Sequence, residues 1–169
     1  AIPIEQAGPI FGLYFGMAGL LGMLVFGAVS DGTAKGGMHR PILLAATALF
    51  LATALIMAVT WSPTIDMAKM IAIPSGLLGG GWSIGVLASL QYLLPDRFRA
   101  TATALFVMFM TFLSFVIGPW LTGMLSESFG DDAMSLRHAL SIIIPTGFVG
   151  ALSIWLAAKT LEKDREALA

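Results

Sequence analysis

The chain has 169 residues, 57% of them apolar and 11% charged, with a formal net charge of −1 and a mean hydropathy of +0.89. A soluble domain carries about 25% charged residues, so this chain cannot clothe its apolar content in water, and a water-soluble enzyme domain is excluded. The absence of cysteine excludes a disulfide scaffold, the apolar content excludes disorder, and the near-neutral charge offers nothing to nucleic acid.

What remains is a protein solvated by lipid. A helix crosses the roughly 30 Å hydrocarbon layer with about 20 apolar residues. Five charge-free windows of that order follow one another: residues 10–30, 41–60, 70–94, 101–125 and 138–158. The expected fold is an all-α membrane protein, a polytopic bundle of five transmembrane helices in a single domain. Membrane strands would alternate apolar and polar residues over about ten positions. These windows are longer and apolar all round, and a helix satisfies its backbone groups within its own segment. The opening lacks the basic residues of a signal peptide. Every charged residue except Glu5 falls in a break between windows or in the tail. Five crossings put Lys35, Arg40, Arg97, Arg99, Lys159, Lys163 and Arg165 on one side, and only Lys69 and Arg137 on the other. That bias places the first side in the cytoplasm, with the N-terminus outside and the C-terminus inside. The tail beyond residue 158 is expected to be a solvated extension that only anchors this orientation.

The first window carries Gly8, Gly12, Gly16, Gly19, Gly22 and Gly27 within an arc of about 140° at 100° per residue. In lipid such a face lets another helix approach closely, and Gly12, Gly16 and Gly19 are the expected packing positions. The third window holds Gly76, Gly79, Gly80, Gly81 and Gly85, pointing several ways after Pro74. Each glycine costs up to about 1 kcal/mol against alanine in a helix interior. This segment is therefore soft near Trp82 and Ser83, where either a neighbouring helix or a solute can fit. Gln91 is the one carboxamide inside a window and is expected to bond another helix. Gly118-Pro119 and Pro145 interrupt the fourth and fifth windows and should bend them, with Gly118 and Pro119 also expected at a packing point. No Asp, Glu, Lys or Arg lies deep in any window, so no ion relay is expected within the spans.

Gly81-Trp82-Ser83-Ile84-Gly85 spells the G-x-S-x-G of a nucleophile elbow, which requires a strand–turn–helix context. Inside a membrane helix Ser83 has no base, because His39 and His138 fall at opposite faces; the same separation prevents them from sharing a metal. No catalytic residue and no metal site is assigned. An intramembrane serine hydrolase, and a non-transporting membrane scaffold that docks partners on its glycine faces, stand as rival readings.

The two cytoplasmic breaks are more specific. The first runs Gly27-Ala-Val-Ser-Asp31-Gly-Thr-Ala-Lys35-Gly-Gly-Met-His39-Arg40-Pro41, and the second Leu94-Pro95-Asp96-Arg97-Phe98-Arg99-Ala100-Thr101-Ala102-Thr103. A glycine at a helix end, an aspartate four residues on, then basic residues before the next helix resemble the cytoplasmic loop motif of the Major Facilitator Superfamily. Residues 95–105 resemble the start of that family's eleventh helix, and 118–126 its outer half. Gln6-Ala7-Gly8 is similar to the entry to its eighth. Gly32 stands where the motif has a basic residue, which loosens the loop.

The resemblance covers essentially the whole chain. It implies that the windows are helices eight to twelve of a twelve-helix secondary transporter, whose N-terminal half is the missing partner. It implies a small organic solute carried by alternating access across a bacterial inner (plasma) membrane, without a cofactor. Spinster-like and sugar-phosphate or organic-anion carriers are the nearest subgroups. Gly27, Asp31, Arg40, Arg97 and Arg99 would then form a cytoplasmic gate. In it, the Asp31 carboxylate meets the free N–H groups at the start of the fourth helix, a contact worth about 0.3–2 kcal/mol. Tyr14, Trp82, Ser83, Met108 and Thr111, polar, aromatic or soft positions near midspan, are the candidate solute-wall residues.

Overall fold

A computed structural model describes residues 4–130 and 133–168. Among the described residues there is no strand. Five helical runs are long and apolar enough to cross a membrane: Gly8–Ala34, His39–Thr60, Ile65–Leu93, Asp96–Phe129 and Met134–Glu166. We refer to them as the first to fifth helices. Each runs past its apolar window, because charged residues suit helix ends. The third starts at Ile65, where Thr64 accepts a hydrogen bond from the Met67 N–H at 3.3 Å. Asp66 then sits in its first turn, against the positive helix end. The fourth starts at Asp96, directly after Pro95, which cannot continue the preceding helix. The connections are short turns, and Gly37 (φ 114°) and Gly130 (φ 118°) supply the left-handed backbone that two of them need.

The third helix is the centre of the bundle. It packs along the first on one side and along the second on the other, and the second packs in turn on the fifth. The contact layer is made of small residues: Ala45, Ala46, Ala48, Ala52 and Ala72 are all buried. Backbones therefore come very close. A Cβ on Gly80 would collide with the Gly19 carbonyl, one on Gly22 with the Leu77 carbonyl, and one on Gly76 with the Phe15 carbonyl. On the other side a Cβ on Gly85 would lie 2.6 Å from the Pro41 carbonyl oxygen. Small residues earn their place here because lipid tails are as apolar as leucine, so dispersion at short range must hold the helices together.

Of the expected packing positions, Gly19 belongs to this seam, while a Cβ at Gly12 or Gly16 would meet nothing within 4 Å among the described residues. Gly16 lies about 100° round the helix from Phe15, a seam residue. Gly12 lies at the start of a π-turn, Gly12–Gly16, whose extra residue per turn takes the outer end out of register with Gly19 and Gly22. The glycines of the third helix, expected to confer softness, are where the close packing happens.

The prolines also behave differently from one another. Pro74 lies inside an unbroken helix. Pro145 splits the fifth helix into Ala133–Ile143 and Thr146–Leu168, bridged by a turn in which Gly147 N–H donates to the Ile144 carbonyl at 2.9 Å. Ahead of Pro119 the fourth helix widens into a π-turn, Leu113–Ile117, with Gly118 N–H donating to the Leu113 carbonyl five residues back. The proline ring would press on the carbonyl four residues before it, Phe115, and the wider turn makes room. Pro119 is exposed, and among the described residues a Cβ at Gly118 would meet only Leu113 of its own helix, so these two residues pack against no other helix of this chain.

The fourth helix stands apart. No residue of its membrane-length window is buried. It meets the outer half of the fifth helix and touches the third only sparsely. Phe109, Phe112, Phe115 and Trp120 all lie exposed along it. At the opposite end from the gate sequences, Trp61 Nε1 donates to Ser141 Oγ at 2.8 Å, and Ser141 Oγ donates to the Arg137 carbonyl at 2.7 Å. His138 lies between the Trp61 and Phe129 rings, at centroid separations of 6.2 and 5.7 Å.

Candidate functional site

The topology of short connections gathers the two gate sequences at one end of the bundle. There the second break is a compact turn. Arg99 Nε donates to the Leu94 carbonyl at 2.9 Å, and its Nη1 pairs with Asp96 at 2.8 Å. Arg97 lies over its neighbour Phe98, 4.7 Å from the ring centroid. In the first break the Arg40 guanidinium covers Gly36, filling the space a Cβ would take. Gly27 has open space around it.

Asp31 is exposed, and among the described residues it makes no ion pair and accepts no hydrogen bond. The expected contact with the start of the fourth helix is therefore not made in this arrangement. Arg40 and Arg99 are each engaged locally instead. The physical reason is the splayed fourth helix, which has little packing against the rest of the bundle.

The candidate wall residues do not form one cluster. Trp82 and Ser83 are half-buried in the middle of the third helix, and the Ser83 hydroxyl donates to the Gly80 carbonyl at 3.3 Å. That helix is continuous through the G-x-S-x-G sequence, so the sharp turn of a nucleophile elbow is absent there. Met108 and Thr111 lie exposed on the fourth helix. Tyr14 faces a different place, a lateral cavity of about 270 Å³ among the first three helices. The Lys69 ammonium lies 5.9 Å from its ring centroid and 3.3 Å from Asp66 Oδ1.

Several features escaped the sequence reading. Gln91 is exposed at the end of the third helix, where headgroups and water can satisfy it, and does not bridge helices. The Ser75 hydroxyl is fully buried and has no hydrogen-bond partner among the described residues. The tail is not merely solvated. The fifth helix continues through it, with Ala158 and Leu161 buried. Arg165 Nη1 donates to Tyr92 Oη at 2.6 Å, its guanidinium lies 4.1 Å from the Tyr92 ring centroid, and Tyr92 Oη donates to Glu162 at 3.4 Å. The available signal was the periodic recurrence of Ala158, Leu161 and Arg165 on one helix face.

No protein-family profile matches the chain. It is 31% identical over 165 residues to a protein of Mycolicibacterium smegmatis described as an MFS-type efflux pump. The match takes in 95% of this chain, which spans 38% of the length of that relative. Identity at that level runs along almost the whole chain and across its five membrane-length helices, so the chain is similar to part of an MFS-type efflux pump.

Proposed function

We propose that the chain forms the eighth to twelfth helices of a twelve-helix secondary transporter. It would move a small organic solute outward across a bacterial inner membrane by alternating access. The observation that carries this reading is the match of 95% of the chain to a relative described as an MFS-type efflux pump. The uneven basic residues support the orientation, with the Asp31, Arg40, Arg97 and Arg99 end in the cytoplasm and the N-terminus of this chain outside. The bare fourth helix supports a wall shared with the N-terminal half of the same transporter, its apolar residues meeting helices of that half and lipid. Trp82, Ser83, Met108 and Thr111 contribute this half's share of a midplane site, and Tyr14 closes it toward the outside. The cytoplasmic gate shuts when Asp31 reaches the first turn of the fourth helix and opens when it leaves.

The test uses the intact protein in proteoliposomes, carrying Ser83→Cys on a cysteine-free background. A membrane-impermeant maleimide should label that position from one compartment at a time, and a transported solute should change which compartment. Organic anions, sugars and sugar phosphates are the first solutes to offer. No labelling from either side, together with no solute flux, would sink the transporter reading and leave the scaffold.

A further inference from the structure

Between the second and fifth helices runs a groove of about 550 Å³. Thr47 and Phe50 line one wall, and Phe148, Leu152 and Trp155 the other. The Phe50 and Phe148 rings meet at a centroid distance of 4.9 Å. Phe50 and Leu152 are both more than half exposed, so the groove opens sideways toward lipid. The Thr47 hydroxyl already donates to the Leu44 carbonyl at 2.9 Å. The slot thus offers apolar surface and almost no polar contact, which suits a hydrocarbon chain and not a polar solute.

One end of the slot is basic. At 100° per residue, Phe148, Leu152, Trp155, Lys159 and Lys163 fall on one face of the fifth helix. Trp155 is a lining residue, and the Lys159 ammonium lies 3.7 Å from its ring centroid, at the mouth of the groove. Lys163 is exposed one turn further on. The second helix begins at this same end with His39 and Arg40. The acidic residues of the tail are mostly turned elsewhere. Glu162 reaches Tyr92 on the third helix, and Asp164 falls about 140° round the helix from Lys159. Glu166 shares the lysine face, about 10 Å beyond Lys159 along the axis and about one turn beyond Lys163.

We infer that this groove holds one anionic phospholipid, its acyl chain along Phe50, Phe148 and Leu152 and its phosphate on Lys159 and Lys163. Basic pockets between membrane helices recognise anionic headgroups in this way. The inference needs the helices to be in a bilayer. It does not need the transport reading, nor a particular leaflet.

The test is native mass spectrometry of the intact protein released from nanodiscs of mixed phosphatidylglycerol and phosphatidylcholine. Phosphatidylglycerol should be retained in preference. Lys159→Gln with Lys163→Gln should lower its retention by roughly fivefold for each lysine removed. Lys159→Arg with Lys163→Arg should keep it, which also controls for folding. Thr47→Trp fills the slot with both lysines in place and should reduce retention of either lipid. Equal retention of the two lipids overturns the proposal. So does retention unmoved by the glutamine pair, or by Thr47→Trp. Should the glutamine pair misfold, the arginine pair and Thr47→Trp decide. Binding is read without any flux, so failure here is separate from failure of the transporter reading.

Discussion

Two glycines in the same bundle can have opposite meanings, and the difference is what their missing Cβ would touch. Gly80 and Gly22 sit against carbonyls of a neighbouring backbone, which cannot move aside as a flexible side chain can. Gly80→Ala and Gly22→Ala should each destabilise the intact protein by about 1–3 kcal/mol, the usual cost of overpacking. Gly12→Ala meets open space and should be neutral or stabilising by up to about 1 kcal/mol, as expected for alanine in a helix. Unfolding in mixed micelles as denaturing detergent is added reads both. At the outer end, Trp61→Phe removes the donor to Ser141 and should cost about 1 kcal/mol, the net value of one hydrogen bond. Ser141→Ala should cost a similar amount, and the double variant less than the two together, because both single changes break the same bond.

At the scale of the element, the fifth helix carries the clearest lesson. Its tail is amphipathic: Ala158 and Leu161 turn inward, Arg165 and Glu162 clasp Tyr92, and Lys159 and Lys163 turn outward. Exposed polar contacts of this kind are worth under about 1 kcal/mol, so the clasp orders the tail without setting global stability. Arg165→Gln should therefore speed amide exchange over residues 159–168 several-fold and leave the melting temperature unchanged. A fall in melting temperature of several degrees would show that the clasp is structural. The fourth helix shows a second element-level device. Its π-turn, Leu113–Ile117, lies one turn before Pro119, so the widened backbone absorbs the proline without a break. In the fifth helix Pro145 has no such turn ahead of it, and the helix divides.

For the molecule as a whole, packing is uneven. The first, second, third and fifth helices share a close-packed seam, and the fourth stands against it with its apolar side chains bare. Asp31 has no partner among the described residues here, so its carboxylate is available to whichever arrangement brings the fourth helix to it. Asp31→Asn in the intact protein should lower transport rate by several-fold while folding yield stays within experimental error. The contact it would lose is worth about 0.3–2 kcal/mol in one conformation only. Rate is read by solute flux in proteoliposomes, and yield by the monodisperse fraction after purification. Equal losses in both would show that Asp31 serves the fold and not the gate.

The number of helices, their approximate limits and the sorting of ionic groups to two faces all follow from the linear order of residues. A charge-free stretch of this length has one low-energy arrangement in hydrocarbon, and neither neighbours nor partners are needed to choose it. The breaks between helices around Asp31–Arg40 and Pro95 were legible for the same reason, since the residues that end and start those helices are local. Which glycines touch a second backbone was not local. The stripe from Gly8 to Gly27 looked continuous, but a π-turn shifted its register, and only the approach of the third helix singled out Gly19 and Gly22. The docking of Arg165 on Tyr92, 73 positions away in the chain, and the groove between the second and fifth helices are likewise products of assembly. Periodicity fixes the face a residue occupies on its own helix, and tertiary packing alone fixes what that face meets.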